Sequence, residues 1–299
     1  MQTDETNTSV PETSSVTPER YRGAVRAFDA AVCQALAVGQ ASSGRLESAR
    51  IGFATKVFTR ICAHSTAFVR ATPKSRWVHS ESEFWEFAAV SGHARSIIEG
   101  YLLFHYVGSV PESPDEWLAR VNVMNLNDCT RRIQVLESFS DPEQIQGLGV
   151  QAEEVREKLR SNPWFRGLEN SLQRKLLTGE YLTISSRNQQ LDELGWNKQQ
   201  FYSIWNVLSQ YTHVLPFSFY RIEANGRGTG LENAFDRSYI FMVLEQCTAV
   251  LNDCVAKMVE WFPDVADQCL GINSKFSPGP TRNLPKDRKR KDWTRIGRQ

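Results

Sequence analysis

Apolar residues recur at three- and four-residue intervals along most of this chain, the spacing of one helix face; alternation at every second position is rare. The breaks between these runs carry helix signals. Thr17-Pro18-Glu19 sets a capping threonine before proline, which predicts a first helix over 18–40, ended by Ser42-Ser43-Gly44. A second helix is predicted over 47–70, stopping short of Pro73, and a third over 80–106, opening on Ser80-Glu81-Ser82-Glu83. Ser113-Pro114-Asp115-Glu116 starts a fourth that ends near 140. Asp141-Pro142-Glu143 starts a fifth, very polar helix to 160, with Glu154 and Lys158 as an i,i+4 charge pair. A short amphipathic helix follows over 164–177, then helices over 186–194 and 197–213 joined at Gly195. The last and longest is predicted over 231–262 and closes at Pro263. Only 180–184 and 214–222 alternate as strands do. The pattern predicts an all-α, multi-helix bundle, with short connections that make neighbouring helices antiparallel.

Polarity divides the chain into three parts. Residues 1–17 are rich in Thr, Ser, Glu and Pro and read as a disordered segment. A single helical domain is expected over 18–272, and a disordered basic tail over 273–299. The chain of 299 residues carries a net charge of +1, which hides an asymmetry. From 281 to 299, eight Lys and Arg stand against two Asp, leaving a mildly acidic body. The run Lys286, Arg288, Lys289, Arg290 and Lys291 suits phosphates or an acidic partner, so nucleic acid is a candidate partner there. A solvated terminus explains the same run.

The six cysteines form no CxxC pair, which points to a reducing, cytoplasmic setting without a disulfide framework or zinc site. Charged residues interrupt the most apolar stretch, 239–259, so no membrane span is expected. No histidine spacing suggests a metal, and no cofactor motif is present. The glycine-rich Gly226-Arg227-Gly228-Thr229-Gly230 precedes a helix but follows no strand, and it reads as a turn. Residues 191–205 have the outline of a helix-turn-helix, but the second helix carries Phe201, Tyr202, Ile204 and Trp205 where a groove reader needs cations. They read as a packed hairpin.

Two helices carry polar groups that need a reason. On the third, Phe84, Ala88, Ser91, Arg95, Ile98, Glu99, Leu102 and Tyr106 share a face, while Val90, Ile97, Tyr101 and Phe104 make the other side apolar. A helix apolar nearly all round is central, which puts Arg95 and Glu99 on a buried face. An internal ion pair that fixes register and a functional pair in a cleft both account for them. On the helix over 197–213, Phe201, Ile204, Trp205, Leu208 and Thr212 make the expected core face. Tyr202, Asn206, Ser209 and His213 form a polar ridge along its flank. A histidine at a helix end can simply favour the dipole. If this ridge meets Arg95 and Glu99, the four side chains Arg95, Glu99, Ser209 and His213 could bind an anion or support acid–base chemistry.

The segments Ala94-Arg95-Ser96-Ile97-Ile98-Glu99, 185–196 and 201–213 resemble an uncharacterised, mostly bacterial family of all-helical proteins. Those proteins carry an Arg-xxx-Glu helix and a later Tyr…Leu-Ser…His helix. The resemblance covers about 82–221. It implies a domain without an assigned activity and a place in bacterial stress or defence; a soluble helical binding or interaction protein is the expected function. A looser similarity to HEPN-type bundles, some of them metal-independent ribonucleases, implies a nuclease-like alternative. In that reading His213 is the acid/base, Arg95 holds a phosphate, Glu99 orients Arg95, and Ser209, Asn206 and Tyr202 position the ligand. The Arg-x4-6-His hallmark of those bundles is missing: Arg60 and His64 have three residues between them, Arg95 and His105 nine.

Overall fold

A computed structural model describes residues 16–45, 47–79, 81–139, 142–220, 226–277 and 279. The chain is all-α, as the periodicity predicts. Its helices are α1 (Pro18–Ala41), α2 (Ala49–Ala71), α3 (Ala88–Gly108), α4 (Pro114–Leu136), α5 (Pro142–Ser161), α6 (Pro163–Arg166), α7 (Asn170–Leu176), α8 (Arg187–Glu193), α9 (Lys198–Thr212), α10 (Pro216–Phe219) and α11 (Ala234–Trp261). Two short 3-10 helices, Pro263–Gln268 and Gly271–Asn273, follow.

The caps explain several starts. Thr17 Oγ1 accepts from the Arg20 amide at 3.3 Å with Pro18 at the first helical position, and Ser113 caps α4 in the same way. Ser186 and Gln189 form a reciprocal capping box on α8. Asn233 Oδ1 accepts from the Asp236 amide at 2.9 Å to open α11.

Four local expectations need correction. The third helix starts at Ala88 and not at 80, and Phe84 is 63% exposed. The backbone before it is taken up by remote partners: the Trp85 amide donates to the Gly230 carbonyl at 2.9 Å, and the Phe87 amide to Asp236 Oδ1 at 3.1 Å. The stretch 164–177 is two helices, α6 and α7, because Gly167 ends the first after one turn. The alternating segment 180–184 has no strand, and Pro216–Phe219 is a turn of helix. On α5 the ion pairs join Arg156 to Glu153 at 3.1 Å and Arg160 to both Glu153 and Glu157, rather than Glu154 to Lys158.

Contacts divide the chain into two compact units. The first takes the described residues of Met1–Leu46, Thr55–Phe104 and Gln199–Gln299. Its core is laid down by α1 against α11, where Ile240, Val243, Leu244, Cys247, Val250 and Leu251 are buried. By length and composition alone α11 could cross a membrane; here its apolar face is packed inside this unit. Aromatic pairs fill the space between helices, with Phe28 and Phe68 ring centroids 4.7 Å apart and Phe104 and Trp261 5.4 Å apart. One buried charge sits among them. Asp29 accepts from Arg76 Nε at 2.5 Å and from Trp77 Nε1 at 2.6 Å, which compensates its desolvation.

The second unit takes the described residues of Glu47–Ala54 and His105–Lys198. Its core joins Val123 and Leu126 of α4, Val155 and Leu159 of α5, Phe165 of α6 and Leu176 of α7. Gly179 turns the chain after α7 at φ 79°, and its carbonyl accepts from Asn127 Nδ2 at 2.9 Å.

Candidate functional site

Within the first unit, α3 and α9 bring Arg95, Glu99, Trp205 and His213 into one cluster. Arg95 Nε donates to Glu99 Oε1 at 3.1 Å, one helical turn along α3. Trp205 Nε1 donates to the same oxygen at 2.9 Å. The guanidinium lies over the Trp205 ring, 4.7 Å from its centroid, which adds a cation–π attraction to the ion pair. Arg95 Nη1 is 2.8 Å from His213 Nε2. Arginine only donates, so Nε2 is the acceptor, and this partner assigns a neutral imidazole with its proton on Nδ1.

This is a different environment from the buried face expected of Arg95 and Glu99. Their side chains are 17% and 38% exposed, so the pair sits at the edge of the core, where water screens it. The register of α9 also differs from expectation. Phe201, Leu208 and Tyr211 are its buried residues, Trp205 is half-buried, and Thr212 is exposed. The rotation places Trp205 beside Arg95 and leaves His213 at the surface.

The polar ridge is divided in its roles. Ser209 Oγ donates back to the Trp205 carbonyl at 2.8 Å, the usual fate of a serine inside a helix. Asn206 is exposed, and the Tyr202 ring packs edge-on against Phe201 with centroids 5.3 Å apart. Among the described residues, neither Asn206 nor Ser209 joins the Arg95 cluster through a side-chain hydrogen bond. The basic run at Lys286, Arg288, Lys289, Arg290 and Lys291 lies outside the described residues.

The chemistry available follows from these assignments. The lone pair that His213 would need as a base is already taken by Arg95. What the cluster offers outward is donors: the imidazole Nδ1–H and the remaining guanidinium N–H groups. Such an edge receives an anion or a carbonyl. Immediately after it, Val214, Leu215, Phe217, Phe219 and Tyr220 are all exposed.

Two other groupings had no local signal. His64 on α2 and His93 on α3 face each other with Nδ1 atoms 3.4 Å apart. Burial, the facing His93 and the Arg60 charge hold His64 below the ordinary histidine value, and burial does the same to His93. The pair is separated by 28 intervening residues, so only helix packing could reveal it. Arg227, on the glycine-rich loop, reaches into a group of aromatic rings around Tyr211 and Phe235. A surface groove between α1 and α11, about 530 Å³ in volume and lined by Arg20, Phe241 and Glu245 among others, holds none of the expected site residues. Among the described residues no group of three or more His, Cys, Asp and Glu is placed to share a metal.

Compared with protein-family models, with curated proteins and with solved structures, the chain matches none.

Proposed function

We propose that this is a binding protein that uses Arg95 and His213 to hold an anionic group of its ligand or partner. The observation that carries the reading is the 2.8 Å contact between Arg95 Nη1 and His213 Nε2. It leaves donors facing outward and no free base. Glu99 and Trp205 fix the guanidinium from the other side, so the donors are held in place before a ligand arrives. The exposed apolar residues from Val214 to Tyr220 lie next to the donors in sequence and favour a partner that pairs an acidic group with apolar surface.

The test is a titration of the full chain with inorganic phosphate and, separately, acetate, followed through the His213 ring resonances. A saturable shift is expected, and it should vanish in Arg95→Ala. A shift that survives Arg95→Ala, or no shift with either anion, overturns the reading.

The nuclease-like hydrolase is the second reading, favoured by the exposure of His213 beside an arginine. It requires His213 to let go of Arg95 before acting as acid or base. The full chain incubated with RNA distinguishes the two: cleavage that is lost in His213→Ala supports the hydrolase, and intact RNA supports the binding protein. A role of the 281–299 tail toward nucleic acid predicts salt-sensitive binding that disappears when the tail is deleted. All six cysteines are free, five of them buried, which supports a reducing, cytoplasmic setting. Kinship with bacterial helical proteins of stress or defence belongs to the same proposal, on the strength of the Arg-xxx-Glu and Leu-Ser…His segments.

A further inference from the structure

We propose that the aromatic group around Arg227 is a cation-binding cage for a quaternary ammonium group, and that Arg227 is its resident occupant. The walls are built within the first unit. Tyr239 stacks on Phe87 with centroids 5.2 Å apart, lies 5.1 Å from Phe235 and 6.2 Å from Tyr211. Phe87 also meets Tyr211 edge-on at 4.8 Å. The Arg227 guanidinium carbon sits 4.5 Å from the Phe235 centroid and 5.9 Å from that of Tyr211. The Phe235 face lies against the charge, Tyr211 meets it through its hydroxyl, and Phe87 and Tyr239 back these two rings; a ring face against a positive charge attracts it electrostatically.

The carboxylates nearby add to the field without clamping the arginine. Glu86 and Asp236 are close enough to feel the Arg227 charge or each other. Each is satisfied by neutral donors, Glu86 Oε1 by the Ala88 amide at 3.2 Å and Asp236 by the Phe87 amide at 3.1 Å and Asn233 Nδ2 at 2.7 Å. Among the described residues neither forms an ion pair with Arg227.

The fit of Arg227 itself is poor, and this identifies the ligand class. Its Nη2 donates to the Tyr211 hydroxyl, but its Nε–H is buried with no acceptor among the described residues. A guanidinium has five N–H donors to satisfy, and an aromatic enclosure supplies few acceptors. A trimethylammonium group has the same charge and no N–H, so it takes the cation–π attraction without an unmet donor. For such a ligand to enter, Arg227 has to leave. Arg227 sits on a loop whose Gly226, Gly228 and Gly230 all hold positive φ, at 75°, 73° and 74°, and Gly226 and Gly228 are exposed. Phe235 is 38% exposed, so the cage opens to water.

The experiment is calorimetric titration of the full chain and its variants with tetramethylammonium chloride, against sodium chloride at equal ionic strength. Wild type should bind weakly, because Arg227 must leave first. Arg227→Ala should bind at least about tenfold more tightly, since the competing state is removed. Phe235→Leu placed on Arg227→Ala should abolish binding. Choline and a trimethyl-lysine peptide, as separate arms, distinguish a free ligand from a side chain. Equal affinity in wild type and Arg227→Ala overturns the proposal, as does binding that survives Phe235→Leu or a folded Arg227→Ala that binds nothing. If Arg227→Ala does not fold, Arg227→Gln takes its place. Should that also fail, tetramethylammonium that leaves the Arg227 Nε–H and Phe235 ring resonances of wild type unmoved overturns it.

Discussion

Arg95 and His213, 118 residues apart in sequence, meet with Nη1 and Nε2 at 2.8 Å. Trp205 lies against the same guanidinium at 4.7 Å and donates to the carboxylate that holds it. The arginine is therefore shared by three partners from two helices, and its energetics should be coupled. In a double-mutant cycle, Arg95→Ala and Trp205→Leu should show an interaction energy of about 0.5–2 kcal/mol in urea denaturation. Additive losses would mean that the stacking contributes nothing.

Asp29 is the most heavily compensated buried charge described. It is 4% exposed and bonded to Arg76, Trp77 and Cys33. Asp29→Ala removes the carboxylate to which Arg76 Nε and Nη2 donate and should cost about 3–5 kcal/mol, read from the urea midpoint. Asp29→Asn keeps an acceptor and should cost less. A loss below about 1 kcal/mol for the alanine variant would show that Arg76 finds water instead.

The His64–His93 pair sets a pH dependence with a definite sign. Both folded imidazoles titrate below the ordinary value, so the unfolded chain binds protons more readily than the folded one. Stability from this pair is fully present above about pH 6.5 and is lost as pH falls through the lower, folded values. The unfolding free energy should therefore rise with pH through the weakly acidic range. His64→Asn combined with His93→Gln should flatten that rise. An unchanged slope in the double variant would place its origin elsewhere.

Two glycines of the second unit separate backbone strain from steric conflict. Gly179 and Gly195 both hold positive φ, 79° and 63°. A Cβ on Gly179 would lie 2.1 Å from Thr130 Oγ1, whereas one on Gly195 meets nothing within 4 Å. Gly195→Ala should cost about 1–2 kcal/mol, the left-handed penalty alone, and Gly179→Ala about 2–4 kcal/mol. Thr130→Ala should recover part of the Gly179→Ala loss in thermal unfolding. Equal costs at the two positions would mean that the turn after α7 relaxes freely.

Helix content was legible because it rests on local signals. Thr17-Pro18 and Ser113-Pro114 fix two starts through caps that need only the next few residues. The start of the third helix is not legible, for the complementary reason. Ser80-Glu81-Ser82-Glu83 looks like a cap, but the backbone at Trp85 and Phe87 bonds to Gly230 and Asp236, far along the chain. The buried face of α9 differs from the helical wheel by part of a turn: Thr212 is exposed and Tyr211 is buried. A helical wheel gives relative angles, and only the neighbouring helices decide which angle faces in.

What the sequence by itself determined is a set of helices, the pairing of Arg95 with Glu99 on one of them, and the placing of Ser209 on another with His213 at its end. Periodicity, caps and one-turn spacing are properties of a single helix, so they can be read from the chain. Tertiary structure alone decided that His213 reaches Arg95, that Trp205 and not Ser209 completes the cluster, and that Arg227 lies among Tyr211, Phe235 and Tyr239. These contacts join segments far apart in sequence. Their geometry comes from how apolar faces pack, which no spacing along the chain encodes.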